Sequence, residues 1–249
     1  MRIGMTDLYD QNIASFYNDV AKDYDKTYSS HVEIAENELL SDYLSQIIRP
    51  DDRVLDVGTG TGLLLDLVDI PKENFLGIDI SPKMIELAQK SFPKHSFQVM
   101  NGMEFSVSEE VQEFNPNCII SLFGMYDYYG MDWLRLVKDY AKNSDNKFTR
   151  LFTTMPNNIS KHKINEKNSH GFAPTNNKVD FKELYEYMDE RHTNNEVSHL
   201  FLHGFSYESL NHLNPSSVRI CSEYIKDSRD DFDQSKYLIF YSNFIKSER

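Results

Sequence analysis

Arg53-Val54-Leu55-Asp56-Val57-Gly58-Thr59-Gly60-Thr61-Gly62, running directly into Leu63-Leu64-Leu65, is the stretch on which the fold turns. Val54, Leu55 and Val57 form the short branched run of a buried strand. Three alternating glycines forbid its continuation, and the leucines behind them start a helix. Glycine serves where the backbone must take a positive φ or let a ligand approach to contact. Here that happens where a strand's carboxyl end meets a helix N-terminus, the place of the ligand crevice in an open α/β sheet. A lone G-x-G is often an idle loop. Three alternating glycines behind a hydrophobic strand, with Asp56 two residues before the first, point to a ligand site.

The ligand class can be narrowed. A dinucleotide site of the G-x-G-x-x-G type needs a small residue at position 63, where the chain has Leu63. A phosphate-cradling loop would end in Gly-Lys-Ser/Thr, and no lysine follows Gly62. The acidic Asp56 favours a cation over an anion.

Working outward, Phe75-Leu76-Gly77-Ile78-Asp79-Ile80 reads as the next parallel strand. Asp79 closes it about twenty residues beyond the turn, where a carboxylate accepts ribose hydroxyls. Ser81 caps the following helix, with Pro82 at its first position and Met84, Ile85 and Ala88 on one face.

On VLDVGTGTG and GIDISPKMIELA the chain resembles the class I S-adenosylmethionine-dependent methyltransferases, with decreasing clarity over residues 10–155. The resemblance implies an α/β fold: a doubly wound, seven-stranded, mostly parallel sheet with an antiparallel edge strand, in three α/β/α layers. An N-terminal helical lid and an insertion after strand 5 complete it. The single methyltransferase domain, 1–249, then divides into a lid and helix (1–48), a cofactor core (50–155), a cap over the acceptor site (156–212) and a C-terminal strand pair (213–246). The implied cofactor is S-adenosyl-L-methionine, leaving S-adenosyl-L-homocysteine, without a metal. Its contacts fall on Asp56, Gly58, Thr59, Gly60 and Gly62 in the turn, and on Asp79, Ile80 and Met84 around the ribose strand. Asn101, Gly102 and Met103 follow the third strand, and Ser121 and Phe123 end the fourth. In the family an aspartate commonly accepts from the adenine amino group where this chain has Asn101-Gly102. The side-chain carbonyl of Asn101 and the backbone amide of Met103 are the substitutes offered here.

The 249 residues are 40% apolar and 26% charged, enough for one well-buried α/β domain. No apolar run is long enough to span a membrane. The opening Met1-Arg2-Ile3-Gly4-Met5-Thr6-Asp7 lacks the apolar core of a signal peptide, so a cytoplasmic location is expected. Cys118 and Cys221 sit in apolar, strand-like runs and read as reduced core thiols. A net charge of −13 opposes nucleic acid and anionic membrane as partners and leaves a small-molecule acceptor, met by a monomer or homodimer.

Before the first strand lies a tyrosine-rich, acidic segment. Phe16 and Val20 keep helical spacing, whereas Tyr24-Asp25-Lys26-Thr27-Tyr28 reads as an irregular lid. Such tyrosines can be an ordinary amphipathic packing face. The resemblance favours a segment that closes over the cofactor, with Tyr17 and Tyr24 contacting it or the acceptor, and Tyr28 is assigned to the acceptor. Residues 34–48 form an apolar helical stripe ended by Pro50. Residues 95–100 and 117–123 read as strands three and four, 133–140 as a helix and 148–154 as strand five. The signature Asn/Asp-Pro-Pro-Tyr/Phe of amide and base-amine methylation is missing after strand four, where Ser121, Phe123 and Tyr126 are chosen to line the site. Residues 157–177 are polar and aperiodic, a plausible lid, and 179–191 are an amphipathic helix. His170, His199 and His203 are candidate general bases. His199 and His203 stand four apart without a third ligand motif, which argues against zinc. Residues 217–225 and 236–242 read as a closing antiparallel pair.

The resulting expectation is a methyltransferase acting on an oxygen or nitrogen of a small metabolite. Methylation of a tRNA or protein, and cofactor binding without catalysis, are the alternatives.

Overall fold

The structure is a computed structural model that describes residues 6–27, 31–156, 197–201 and 237–245. The chain divides into two compact units, Met1–Leu122 and Phe123–Arg249.

In the first unit, α1 (Thr6–Val20) runs through a 3-10 turn, Ala21–Asp23, into the short α2 (Tyr24–Thr27), and α3 (His31–Ile47) follows. Then come β1 (Val54–Val57), α4 (Leu63–Leu67), β2 (Phe75–Asp79), α5 (Pro82–Ser91), β3 (Ser96–Val99), α6 (Glu109–Phe114) and β4 (Cys118–Ser121). The four strands are parallel in the order β3-β2-β1-β4. The register pairs Val57 with Ile78 and Asp79 with Val99, so the carboxyl ends of β1, β2 and β3 open on the same side. Every residue of β1 and β2 is buried, the carboxylates of Asp56 and Asp79 among them, whereas β3 buries only Phe97.

Local signals account for the helices. Ser81 accepts the Met84 N–H at 3.2 Å, Pro82 opens α5, and Met84, Ile85 and Ala88 are its buried face. From the stripe on α3, Leu40, Tyr43 and Leu44 reach the core, and the Ser41 hydroxyl ties the helix to the Leu67 carbonyl at 2.7 Å. One expectation is corrected: Tyr24–Thr27 is helical, because the backbone continues α1 through the 3-10 turn.

In the second unit, α7 (Met125–Tyr129) and α8 (Met131–Asn143) precede β5 (Phe148–Pro156), β6 (Val197–Phe201) and β7 (Tyr237–Ile245). β7 lies between β5 and β6 and is antiparallel to both. Trp133, Leu134 and Val137 are the buried face of α8. The expected strand 236–242 is present and runs on to Ile245, and its partners are β5 and β6. The expected strand 217–225, the helix 179–191 and the polar segment 157–177 lie outside the described residues.

Candidate cofactor site

The turn between β1 and α4 is held from within. Gly58 and Thr59 both donate their backbone N–H to the Ile78 carbonyl, at 2.9 and 3.0 Å, and Gly62 donates to the Thr59 carbonyl at 3.0 Å. Gly60 donates to Asp79 Oδ2 at 2.9 Å. Gly58 and Gly60 have φ of +76° and +56°, and a Cβ on either would meet nothing within 4 Å. The turn therefore offers bare backbone to open space, while these four N–H groups are already engaged. An anion would find no nest of free donors there.

Two buried carboxylates flank the turn. Asp56 is 2% exposed and Asp79 is 8% exposed. Asp56 accepts the Thr59 hydroxyl at 2.6 Å, and Asp79 accepts the Ser81 N–H at 2.8 Å through Oδ1. Burial pushes Asp56 up to about 7; the Thr59 hydrogen bond opposes this and the charge of Asp79 adds to it. Burial likewise pushes Asp79 up to about 6, against the hydrogen bonds from Ser81 and Gly60. Such a pair is stabilised by a cation or by hydroxyl donors.

The N-terminal segment joins these loops at three points. Asn18 Oδ1 accepts the Ser81 hydroxyl at 2.8 Å and the Lys83 N–H at 3.2 Å. Asp25 Oδ1 accepts the Thr61 hydroxyl at 2.7 Å. Asp10 Oδ2 accepts from Asn101 Nδ2 at 2.7 Å. Tyr17 and Tyr24 stand edge to face with centroids 6.1 Å apart.

These donors and acceptors fit an adenosyl sulfonium. The carboxylates suit ribose hydroxyls and positive charge, the glycine backbone leaves room, and the engaged amides exclude a polyphosphate.

Of the sequence-chosen residues, Asp56, Gly58, Thr59, Gly60, Gly62 and Asp79 come together around this turn, with Ile80 following Asp79. Met84 is buried in the first turn of α5. Asn101 caps the 3-10 segment Gly102–Val107 by accepting the Met103 N–H at 2.9 Å, so its carbonyl already has a donor. Ser121 is fully buried at the end of β4. In the second unit Phe123 has φ +54° and donates its N–H to Thr154 Oγ1 at 2.6 Å. Tyr126 is 1% exposed, with its hydroxyl on Met131 Sδ at 3.6 Å. His199 lies on β6, whereas Tyr28, His170 and His203 lie outside the described residues. Sequence reasoning missed Asp10, Asn18 and Asp25. Their signal was the acidic character of the segment, credited there to its tyrosines.

Among the described residues, no three His, Cys, Asp or Glu side chains group to hold a metal, and no helix is long and apolar enough to cross a membrane.

Residues 54–141 match the family model of a methyltransferase domain. Among solved structures, the plantazolicin methyltransferase BpumL in complex with a pentazolic desmethylPZN analog and SAH is 14% identical, at a TM-score of 0.57 over 100% of both chains. The magnesium protoporphyrin IX methyltransferase ChlM from Synechocystis PCC 6803, with bound SAM, is 12% identical at 0.56, covering 96% of this chain and 97% of that one. A DhpI complex with SAM and HEP is 11% identical at 0.52, covering 97% and 99%. At such identities the likeness is one of fold. No curated protein sequence matches the chain. The fold is α/β and Rossmann-like, with four parallel strands in the first unit and, in the second, β7 antiparallel to both β5 and β6. Residues 54–141 are thus a methyltransferase domain.

Proposed function

We propose that the chain methylates an oxygen or nitrogen of a small-molecule acceptor, as a cytoplasmic monomer or homodimer. The observation that carries the cofactor half is the glycine turn, whose engaged amides and two flanking carboxylates favour a hydroxylated cation over a phosphate. The acceptor half rests on the acidity of the chain, net −13, which disfavours a nucleic acid. The solved relatives support it too: one is a magnesium protoporphyrin IX methyltransferase and another holds a desmethylPZN analog.

Asp79 takes the ribose hydroxyls on lone pairs left beside its two backbone donors, since a carboxylate has about four acceptor sites. Gly58 and Gly60 let the nucleoside lie against the backbone, and Asp56 sets the negative potential for the positive end. Ile80, Met84, Gly102 and Met103 border the base; Tyr17 and Tyr24 bring ring faces or edges to the cofactor, with Ser121 and Phe123 beyond. Tyr28 and Tyr126 are assigned to the acceptor. The N-terminal segment, within 1–48, acts as a lid over the core of 50–155.

S-adenosylmethionine supplies a sulfonium methyl that an acceptor lone pair displaces in line, the S–C electrons returning to sulfur. The residues around it orient and desolvate the partners, a contribution of about 7–11 kcal/mol where alignment is good. A hydroxyl acceptor must also lose its proton. His170, His199 and His203 are the proposed bases, each capable of roughly 10²–10⁴-fold.

Calorimetric titration with S-adenosylmethionine and S-adenosylhomocysteine, followed by an acceptor screen read as homocysteine-nucleoside formed, tests the reading. Micromolar binding of both with turnover on amine, phenol or carboxylate acceptors is expected. Turnover confined to tRNA or protein would overturn the small-molecule assignment.

A further inference from the structure

We infer that Asn18, on the N-terminal helix α1, is a positioning residue for Asp79: it fixes Ser81 at the start of α5 and so sets the direction in which the Asp79 carboxylate meets the ribose of the cofactor. This rests on the cofactor reading above and adds to it a residue that acts without touching the ligand.

The first turn of α5 shows what Asn18 supplies. The first four N–H groups of a helix have no partner inside it. Here Ser81 donates to Asp79 Oδ1 at 2.8 Å, Pro82 has no N–H, and Met84 donates to the Ser81 hydroxyl at 3.2 Å. The Lys83 N–H is left, and Asn18 Oδ1 accepts it at 3.2 Å from 65 positions away. The Ser81 hydroxyl, its oxygen taken by Met84, donates in turn to the same Asn18 oxygen at 2.8 Å. A backbone N–H can only donate, so the oxygen of the amide must stand here and its orientation is fixed. Ser81 is fully buried and has no water to replace this acceptor.

Both donors that hold Asp79 are gripped by the N-terminal segment. Ser81, on Oδ1, is tied directly to Asn18. Gly60, on Oδ2, is tied through its neighbour Thr61, whose hydroxyl donates to Asp25 at 2.7 Å. With one backbone donor on each oxygen, the plane of the carboxylate follows the placement of the two donors. The lone pairs left for ligand hydroxyls follow that plane. Hydrogen bonds weaken steeply off line. A shift of Ser81 therefore falls on the ribose hydroxyls and spares the base and the sulfur. The coupling is reciprocal: hydroxyls that hold Asp79 favour the docked α1.

The test compares binding of S-adenosylhomocysteine with its 2′-deoxy and 3′-deoxy ribose analogues at pH 8, where Asp79, raised to about 6, is ionised. The proteins are the wild type, Asp79→Ala, Asn18→Ala, Asn18→Asp, Ser81→Ala and the double variant Asn18→Ala with Ser81→Ala, each checked for folding by thermal melting. The wild type should prefer the full ribose by about tenfold or more, and Asn18→Ala should cut that preference about three- to tenfold. Asn18→Asp keeps an acceptor for both donors and should hold the wild-type preference. The double variant should discriminate as Ser81→Ala does, because Asn18 acts through Ser81; additive losses would contradict that route. If Asn18→Ala weakens all three ligands equally, Asn18 only anchors the helix, and the inference fails while the cofactor reading stands. If the wild type does not distinguish the three ligands, or Asp79→Ala keeps the wild-type preference, the ribose assignment of Asp79 falls with it.

Discussion

The backbone N–H of Gly60 donates to Asp79 Oδ2 at 2.9 Å, so the carboxylate at the end of β2 braces the glycine turn at the end of β1. Its other oxygen receives the Ser81 N–H at the start of α5. One side chain thereby sets the spacing of a turn and a helix start on adjacent strands. Asp79→Asn keeps one carbonyl oxygen and turns an amino group against the other donor. Losing a hydrogen bond to a charged group costs about 1.5–3 kcal/mol. Binding of S-adenosylhomocysteine should weaken roughly 10- to 100-fold, and hydrogen exchange at Gly60 or Ser81 should quicken. Unchanged affinity would remove Asp79 from the site.

The two carboxylates make binding pH-dependent. Both have a reference value of 3.8 and are raised in the fold, Asp56 to about 7 and Asp79 to about 6. The folded protein then holds protons that the unfolded chain has released. Their contribution to stability is complete below 3.8 and is lost as pH rises through about 6 and then about 7. A sulfonium ligand prefers the ionised pair, so affinity should rise over the same interval, with proton release on binding. Calorimetry at pH 6.5 in buffers of different ionisation enthalpy should show that release as a buffer-dependent heat.

Asp56→Asn separates stability from binding. The carboxamide can still accept the Thr59 hydroxyl but carries no charge to desolvate. The variant should melt above the wild type at pH 8 and lose that advantage at pH 4, while binding S-adenosylmethionine more weakly at pH 8. A lower melting point at pH 8 would contradict the burial of an ionised Asp56.

Asn18→Ala removes the acceptor shared by the Ser81 hydroxyl and the Lys83 N–H. A loss of about 0.5–1.5 kcal/mol per hydrogen bond is expected. It should appear as faster exchange in residues 6–27 and faster release of S-adenosylhomocysteine, with β1 and β2 as protected as before. Loosening of the strands as well would mean that the N-terminal segment is part of the core fold and no lid.

Thr154→Val replaces the hydroxyl that accepts the Phe123 N–H at 2.6 Å. With Thr154 buried, the orphaned donor should cost about 1–3 kcal/mol, read as a lower urea midpoint.

What was legible in the sequence was local. Val54 to Gly62 marked its own strand and turn, and Ser81-Pro82 marked the start of α5, because each signal lies within a few residues of the structure it causes. Asp10 with Asn101 and Asp25 with Thr61 are joined across 91 and 36 positions, and no spacing rule reaches so far. Asn101 shows the limit from the other side. Its residue type allowed acceptance from a base, and the fold also uses that oxygen to accept a backbone N–H two residues on.

Gly77 differs in kind from the turn glycines. A Cβ there would lie 2.6 Å from the Phe97 ring and 2.9 Å from the Thr59 hydroxyl oxygen, whereas one on Gly58 or Gly60 would meet only open space. A saturation library would find all three positions intolerant, yet compensation would tell them apart. Smaller partners at both contacts, Phe97→Leu with Thr59→Ser or Thr59→Ala, should relieve alanine at 77, and no neighbouring change should rescue it at 58 or 60, where the obstacle is the handedness of the residue itself.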